Sequence, residues 1–331
     1  MKSIVKARIR VAVTDYVEDD LHWEEEQLRG VGVDLSYAQL KVASPDELLS
    51  HVGDADVIIV NMAKLTKDVI QGLRQCRLII RHGVGYDNVD IAAATEQHIT
   101  VAHIPDYCIE EVAEQTVTLI LGCQRQLLRQ HDALLRSAAS GSWDFSGLTG
   151  VRRLRGKTVG ILGLGRIGGM VYRMLDGFGV RRVVCDPYLT AARQEEYGVA
   201  PVPLSTLLEE SDIVTLHTPL SAETHHLIDE PQLRAMKRTA CLINTARGGL
   251  VNLTALDQAL REGWIALAGV DVYEEREPPE RGMLLLNNDR ATCTPHASWL
   301  SVEAAWSIRE KIVDEVLRFV EGKAPLHVVE A

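Results

Sequence analysis

The sequence predicts an α/β protein built from two doubly wound parallel sheets, and three observations carry this prediction. Short apolar runs alternate with helical patterns through the first hundred residues, which is typical of a parallel sheet covered by helices on both faces. This alternation stops at Pro105, and a second alternating series begins at Thr158. A chain of 331 residues is long for one core and comfortable for two.

The first series contains four apolar runs and four helical patterns. We predict strands at 9–13, 56–60, 78–81 and 99–102, and helices near 19–29, 45–51, 66–73 and 90–97. Ser44 followed by Pro45 is typical of a helix start, with serine at the cap and proline in the first turn. A long helical pattern then runs from about Glu110 to Leu135.

The stretch from Ser137 to Arg155 has little periodicity, and we interpret it as an excursion from the globule. Trp143 and Phe145 within it need apolar cover, which either a partner subunit or their own domain could supply. We therefore predict a dimerisation arm at 131–155 and a homodimer, with packing onto the same domain as the open alternative.

The second series contains six apolar runs. We predict strands at 158–162, 182–185, 212–217, 240–244, 266–270 and 291–294. A last helix, from about Ser301 to Gly322, carries apolar residues at helical spacing. Two α/β units in one chain predict a cleft between them, and such clefts are favoured ligand sites.

A glycine-rich turn, Gly163-Leu-Gly165-Arg-Ile-Gly168, joins the first strand of the second series to a helical pattern. Glycines at these positions permit a tight turn, a close approach of backbone to phosphate, and close packing of helix on strand. The helix start directs N–H groups at an anion. Asp186 follows the next strand, where an acid accepts hydrogen bonds from a ribose 2′-hydroxyl. Because a carboxylate there repels a 2′-phosphate, the turn predicts NAD binding, in preference to NADP.

Two further residues at strand ends have side chains suited to chemistry. Arg247 follows a predicted strand and is flanked by two glycines, so its guanidinium could clamp a carboxylate or could cap a loop carbonyl. His296 closes the last strand and could act as a general acid and base or be structural. Between them lie the acids Asp271, Glu274, Glu275 and Glu277, one of which could orient a base, although acid runs are usually solvated.

Composition excludes several classes of protein. The apolar share is 46%, the charged share 24% and the net charge −11, which excludes a general nucleic-acid binder. No run approaches the roughly 20 apolar residues of a membrane span, and the N-terminal apolar run is too short for a signal peptide. Six cysteines without a CxxC pair indicate reduced thiols and a cytoplasmic protein. The spacing of His217, His225 and His226 matches no zinc set, so no metal site is predicted.

These motifs together resemble the D-isomer-specific 2-hydroxyacid dehydrogenases over almost the whole chain. Residues 81–90 are similar to the family's substrate loop, and residues 163–168 are similar to its NAD motif. Residues 244–251 and 294–296 are its most specific segments. Three short stretches, 186–189, 225–228 and 296–299, look nearest to the branch that includes the animal C-terminal-binding proteins.

The resemblance implies a fold and a reaction. It implies a flavodoxin-like substrate domain of residues 1–107 and 299–331, and a Rossmann NAD-binding domain of residues 108–298. It implies hydride transfer between NAD(H) and a small 2-oxo or 2-hydroxy acid, in which Arg247 binds the substrate carboxylate and His296 exchanges a proton with the substrate oxygen. A glutamate before a proline would hold His296, which points to Glu277. Because the segment after Asp271 is one residue longer than usual, Glu275 is the runner-up.

The resemblance also implies ligand contacts. The expected cofactor contacts are Val84, Gly163, Gly165, Arg166, Ile167, Gly168, Asp186, Thr218, Pro219, Thr224, Thr245, Ala246, Arg247, Asp271, His296 and Ser298. The expected substrate contacts are Arg81, Val84, Gly85, Arg247, His296 and Trp299, although Trp299 could equally be core. An alternative function is an NAD(H)-sensing, corepressor-like scaffold. Retention of Arg247 and His296 favours the enzyme, because a sensor needs no proton relay.

Overall fold

The computed structural model describes residues 8–274 and 278–330, and the chain divides into two compact units. One unit ends at Cys108 and resumes at Leu300, and the other is Ile109–Trp299. Each unit contains one sheet in which every pair of neighbouring strands is parallel. The predicted fold class is thereby confirmed.

The first unit has a five-stranded sheet of order β2-β1-β3-β4-β5, which is the flavodoxin-like order. Its strands are β1 (Ile9–Val13), β2 (Val33–Tyr37), β3 (Val57–Val60), β4 (Leu78–Arg81) and β5 (Thr100–His103). The helices between them are α1 (His22–Arg29), α2 (Pro45–Val52), α3 (Lys67–Gln71) and α4 (Ile91–Glu96). Helix α2 starts as predicted, since the Ser44 hydroxyl accepts a hydrogen bond from the Glu47 N–H.

The second unit has a six-stranded sheet of order β11-β10-β9-β8-β6-β7. Its strands are β6 (Thr158–Leu162), β7 (Arg181–Cys185), β8 (Ile213–Leu216), β9 (Cys241–Asn244), β10 (Leu267–Val270) and β11 (Ala291–Cys293). Its helices are α5 (Ile109–Arg125), α6 (Leu127–Ser140), α7 (Arg166–Met174), α8 (Ala191–Tyr197), α9 (Leu204–Glu210), α10 (Glu230–Ala235) and α11 (Leu253–Glu262). The chain then returns to the first unit through α12 (Val302–Val320).

Alternate residues of each strand pack into different cores, as expected when helices cover both faces of a sheet. In β3, Ile58 packs with residues of α2, α3 and α4, whereas Ile59 packs with residues of α1 and α12. In β6, Leu162 packs into one core of the second unit and Ile161 packs into the other. The paired cores fix the register of each sheet and hold the strand ends in place.

The strand order of the second unit reverses between β6 and β8. Strand β7 lies on one side of β6, while β8 and all later strands lie on the other. In open parallel sheets, ligands bind at the carboxyl ends of the two strands where the order reverses. The glycine-rich turn follows β6 directly, so the fold places it at this position.

The elements differ from the sequence-based expectations in three places. The sequence analysis missed β2, which lies at the sheet edge and alternates polar Asp34 and Ser36 with apolar residues. The helix predicted at 110–135 is two helices, because Gln126 between them adopts a left-handed conformation with φ of 52°. Helix α6 continues to Ser140, inside the stretch expected to be irregular.

Trp143 and Phe145 stack on each other with ring centroids 6.0 Å apart and remain 74% and 68% exposed. In this structure the two rings are therefore mostly uncovered by their own domain.

All six cysteines are free, and five of them are buried. None of the helices among the described residues combines the length and apolarity needed to cross a membrane.

Candidate active site

The carboxyl ends of the six strands of the second unit carry most of the predicted site residues. Gly163 follows β6, Asp186 follows β7, and Thr218 comes shortly after β8. Thr245 follows β9 and Asp271 follows β10. Because the strands are parallel, these residues lie along one edge of the sheet.

The three glycines of the turn differ in what a side chain would meet. A Cβ on Gly163, whose φ is +89°, would lie 2.8 Å from the carbonyl oxygen of His217. A Cβ on Gly168 would lie 2.1 Å from the carbonyl oxygen of Gly163. A Cβ on Gly165 would meet nothing within 4 Å. The first and third glycines are thus required by packing, whereas the open space at Gly165 is where a pyrophosphate would approach.

Helix α7 begins directly after Gly165, with Arg166 and Ile167 as its first residues. No side chain of residues 8–274 or 278–330 caps this helix start by a hydrogen bond. Its first N–H groups have no partner within the helix, and together with the helix dipole they favour a bound anion. The pyrophosphate of a dinucleotide matches this requirement.

Asp186 lies against the glycine turn. Its Oδ2 accepts a hydrogen bond from the N–H of Leu164 at 2.9 Å, and its Oδ1 accepts one from the N–H of Tyr188 at 3.0 Å. A carboxylate has about four acceptor positions, so it retains capacity for the two hydroxyls of a ribose. This placement fits the predicted ribose contact.

Arg193 lies on the other side of the same turn, and the sequence analysis did not identify it. Its guanidinium donates to the carbonyl oxygens of Leu164 at 2.9 Å and Gly165 at 3.1 Å. The side chain also lies over the ring of Tyr197, with 5.1 Å between the guanidinium carbon and the ring centroid. Arg193 therefore braces the turn from the carbonyl side. The sequence could have indicated this role only through the position of Arg193, which lies in the first turn of the helix that follows Asp186.

The segment after β8 forms a braced loop. The Thr224 hydroxyl donates to the carbonyl of Pro219 at 2.7 Å and accepts from the N–H of Ser221 at 2.7 Å. Desolvation lowers the pKa of His217 to about 3, so its imidazole is neutral, and Nε2 lies 3.0 Å from the Thr215 hydroxyl. Pro219 and Thr224 are thus held together, and the main-chain N of Thr218 lies 3.1 Å from where a Cβ on Gly163 would be.

Arg247 is positioned by a small network at the end of β9. The buried Asn244 amide donates to the carbonyl of Arg247 at 2.9 Å and accepts from the N–H of Ala246 at 3.1 Å. A Cβ on Gly248 would lie 2.1 Å from the backbone of Tyr273, so the turn presses on the segment after β10. Asn244 is a positioning residue that the sequence analysis did not identify. Its position at the end of an apolar run could have indicated that it lies at the carboxyl end of a strand.

Thr245, a predicted cofactor contact, is buried with its hydroxyl 2.8 Å from the hydroxyl of Thr116. Thr116 in turn donates to the carbonyl of Val112. The Thr116 proton is thereby used, so Thr245 is the donor of the pair. In this structure its hydroxyl anchors β9 to α5.

Asp271 organises the loop that carries His296. The carboxylate is fully buried and accepts four hydrogen bonds, from the hydroxyls of Thr294 and Ser298 and from the N–H groups of Ala297 and Ser298. Its main-chain carbonyl also accepts from the N–H of His296 at 2.8 Å. These four donors occupy the acceptor positions of the carboxylate. The predicted contacts of Asp271 and Ser298 with the cofactor stay predictions, and in this structure both side chains position the loop.

His296 has a φ of +54°, which is uncommon for a residue with a side chain. Such a conformation persists where the surrounding structure imposes it, and it is found most often at functional sites. The hydrogen bonds to Asp271 impose it here. The ring is half-buried, as is Trp299 three residues later.

The predicted partners of His296, Glu277 and the runner-up Glu275, lie outside the described residues. The neighbouring Glu274 is described, and its carboxylate contacts His225 and His226. The role of Glu277 therefore stays a prediction from the resemblance.

The first unit carries three of the predicted substrate residues, Arg81, Val84 and Gly85, at the carboxyl end of β4. Arg81 ends β4, and its guanidinium donates to the carbonyl of His82 and occupies the space where a Cβ on Gly83 would lie. The carbonyl of Val84 lies 2.7 Å from Nδ1 of His103. This contact fixes the backbone at Val84 and Gly85, whose N–H groups are the predicted carboxylate contacts.

A buried contact between a histidine and a glutamate supports the same loop and was not identified from the sequence. Nε2 of His82 lies 3.1 Å from the carboxylate of Glu18, and both side chains are about one-tenth exposed or less. Burial acting alone would raise the pKa of Glu18, but the hydrogen bond and charge of His82 lower it to about 2. Glu18 is therefore ionised at neutral pH. No sequence spacing connects two residues 64 positions apart.

Comparison with known proteins identifies the family. The family model for the NAD-binding domain of D-isomer-specific 2-hydroxyacid dehydrogenases matches residues 117–298. Glyoxylate reductase of Korarchaeum cryptofilum is 36% identical over 284 residues, which is 85% of each chain. D-lactate dehydrogenase of Aquifex aeolicus, solved with NAD and lactic acid, aligns with a TM-score of 0.86 and 29% identity over 96% of this chain and 98% of that one.

A third relative is longer than this chain. D-3-phosphoglycerate dehydrogenase of Methanocaldococcus jannaschii is 35% identical over 323 residues, which is 97% of this chain and 59% of that protein. This chain thus spans about three-fifths of that relative's length. The family model matches more than half of this chain, and the glyoxylate reductase is 36% identical over most of both chains. The chain belongs to the D-isomer-specific 2-hydroxyacid dehydrogenase family, and it is an NAD-binding oxidoreductase of the kind that acts on the CH–OH group of 2-hydroxy acids.

Proposed function

We propose that this chain interconverts a small 2-oxo acid and the corresponding D-2-hydroxy acid, using NAD(H). One observation carries the proposal above the others. The loop of His296 is fastened to Asp271 at the same sheet edge that carries the glycine turn and the Arg247 turn. Reduction of a ketone by a nicotinamide cofactor requires a proton donor, a fixed cation and a cofactor site close together. This sheet edge carries a candidate for each.

The residues divide the work of the reaction. Bound NADH supplies the hydride, and the protein supplies orientation and charge. Reduction places negative charge on the former carbonyl oxygen, so a fixed cation lowers the barrier. Arg247 provides that cation and binds the substrate carboxylate through its forked donors. His296 gives a proton to the same oxygen during reduction and takes it back during oxidation, and Glu277 orients the ring.

We further propose that NAD is preferred over NADP because of Asp186. The carboxylate lies at the turn with acceptor capacity left for two ribose hydroxyls, and it would repel a 2′-phosphate. Arg193 does not reverse this preference, since its donors are directed at the carbonyls of Leu164 and Gly165.

We also propose a homodimer through the arm at 131–155. Apolar side chains on α6 and beyond are more than half exposed, which is unusual for a surface that contacts only water. They are Leu134, Leu135, Trp143 and Phe145 within the arm, and Leu127 and Leu128 just before it. Six free thiols favour a cytoplasmic location, because an oxidising compartment would promote disulfides.

The direct experiment is a screen for NADH oxidation across 2-oxo acids, with NADPH as the comparison. The panel includes glyoxylate, pyruvate, hydroxypyruvate and 3-phosphohydroxypyruvate. Turnover of at least one acid with NADH in preference to NADPH is the expected result. Tight NADH binding without turnover of any acid would contradict the enzyme and favour the corepressor-like sensor.

A further inference from the structure

Two histidines and one glutamate that are not among the proposed catalytic residues form a cluster. Nε2 of His225 lies 2.7 Å from Oε1 of Glu274, and Nε2 of His226 lies 2.8 Å from Oε2. The two imidazole rings stack with centroids 4.0 Å apart and an interplanar angle of 25°. Both rings therefore direct the same type of nitrogen at a single carboxylate.

We propose that His225, His226 and Glu274 form a binding site for a divalent transition-metal ion of the zinc class. Two imidazole nitrogens and one carboxylate are a ligand set that zinc uses, with a fourth position left for water. Ligand atoms around a tetrahedral zinc are roughly 3.3 Å apart, since each lies about 2.0–2.1 Å from the ion. The three ligand atoms here all lie within 4.8 Å of one another, so small side-chain rotations complete the geometry.

The backbone holds the two histidines rigidly. His226 has a φ of +50°, and its N–H donates to the carbonyl of Gly249 at 2.7 Å. Two residues later, the N–H of Ile228 donates to the carbonyl of Leu250 at 3.0 Å. The histidine loop is thus bonded to the turn that follows Arg247, and little conformational entropy remains to be lost on binding an ion.

The cluster is open to solvent on one side. The side chains of His225, His226 and Glu274 are 52%, 31% and 27% exposed. His226 and Glu274 also line a cleft of about 500 Å³, with the acids Asp257 and Glu280 among its other walls. An ion can therefore enter, and the cleft leaves room for the exchangeable fourth ligand.

The position of the cluster gives the ion a structural consequence. A Cβ on Gly249 would lie 3.5 Å from Cδ2 of His225, and one on Gly248 would overlap the backbone of Tyr273 and Glu274. The glycines that follow Arg247 therefore pack against both segments that supply ligands. An ion would cross-link these segments and stabilise the second unit. The spacing of the histidines led to the prediction of no metal site, and Glu274 was not connected with them because it follows His226 by 48 residues.

The test is a Co²⁺ titration of the metal-stripped full chain, followed by ligand-field absorption and by thermal unfolding, with Zn²⁺ as competitor. The expected result is one ion per chain, displaced by Zn²⁺, with a raised Tm and without thiolate charge-transfer bands. H225Q, H226N and E274Q should each weaken binding by more than about tenfold, since even an outer-shell partner is worth 10–100-fold.

Two histidines serve as matched controls. His98 is exposed with a φ of +56°, like His226, and His22 is an exposed histidine beside a single carboxylate. H98N and H22Q should leave Co²⁺ binding unchanged. His225 is half-exposed, so H225Q keeps the test valid if E274Q fails to fold. Failure to bind one ion at millimolar Co²⁺ would overturn the proposal, and so would a Co²⁺ affinity of H225Q and H226N equal to that of the wild type.

Discussion

The main-chain N–H of His296 donates a hydrogen bond of 2.8 Å to the carbonyl oxygen of Asp271. The Asp271 carboxylate accepts four further hydrogen bonds from residues on either side of that histidine. One buried acid thus sets the position of the proposed acid and base through the main chain of His296 and through its neighbouring residues. The network explains how a residue with positive φ keeps one conformation.

The Ser298 hydroxyl is part of this network, and its removal should affect catalysis through position. S298A should lower kcat by about tenfold, since one lost hydrogen bond to a charged group is worth about 1.5 kcal/mol. NADH affinity should change less than kcat, because the Ser298 hydroxyl donates its proton to Asp271. Steady-state kinetics and NADH fluorescence titration check both quantities.

Ser211 provides the control for this substitution. It is also buried, and its hydroxyl has no hydrogen-bond partner among the described residues. S211A should therefore leave kcat unchanged. Equal loss of kcat in S211A and S298A would show that the effect is a general one on packing, against the positioning role.

The glycine turn separates cofactor binding from folding. G165A adds a methyl group in open space, so the fold should be retained while NADH binding weakens by about tenfold or more from the lost close approach. G168A places a methyl group 2.1 Å from the Gly163 carbonyl, so it should lower Tm by several degrees. Calorimetry and fluorescence titration check the pair, and a G165A variant with unchanged NADH affinity would contradict the assigned phosphate site.

The proposed ribose contact predicts a change in cofactor preference. D186R should weaken NADH binding by about tenfold or more, because a charged hydrogen-bond partner worth about 1.5–3 kcal/mol is lost, and it should improve NADPH binding. D186N keeps an acceptor for the N–H of Leu164 and serves as the milder control. Kd values for both cofactors check the prediction. Unchanged NADH affinity in D186R would remove Asp186 from the site.

The Glu18–His82 pair predicts a specific loss of stability in acid. The pKa of Glu18 is lowered from 4.5 to about 2 in the folded chain. Its contribution to the free energy of unfolding is therefore complete above the unfolded value and is lost as pH falls from about 4.5 to about 2. The full contribution is on the order of 3 kcal/mol.

Urea unfolding of the wild type and E18Q measures this contribution. The difference between them should shrink by more than about 1 kcal/mol between about pH 6 and about pH 3. Asp54 pairs with Arg74 on the surface, so D54N should show little pH-dependent difference. A difference for E18Q that stays constant over this range would show that His82 does not hold the carboxylate ionised.

Local patterns predicted most of the fold because each element has its own signal in the chain. The turn after β6 combined an apolar run, three glycines and a helical pattern, and β4 and β6 have the predicted bounds. Strand β2 was missed because an edge strand half exposed to solvent lacks a continuous apolar run. The break at Gln126 was missed because a single left-handed residue leaves the helical pattern unchanged.

The parts of the site that escaped prediction depend on contacts between distant residues. Arg193 braces the turn at Leu164, 29 residues away. Glu18 meets His82, and Glu274 meets two histidines that precede it by 48 and 49 residues. No periodicity or spacing encodes such pairs, since the fold alone brings them together. The strand-end position of Asn244 and Asp271 indicated the right edge but not their buried networks.

The most direct test of the proposed mechanism is single-turnover hydride transfer in H296Q, measured as NADH oxidation in the presence of a 2-oxo acid that the wild type reduces. General acid–base catalysis contributes about 10²–10⁴-fold, so the rate should fall by at least about 100-fold. NADH should bind H296Q as it binds the wild type, because the glycine turn and Asp186 are untouched. A hydride-transfer rate within about twofold of the wild type would contradict the assignment of His296 as the acid and base.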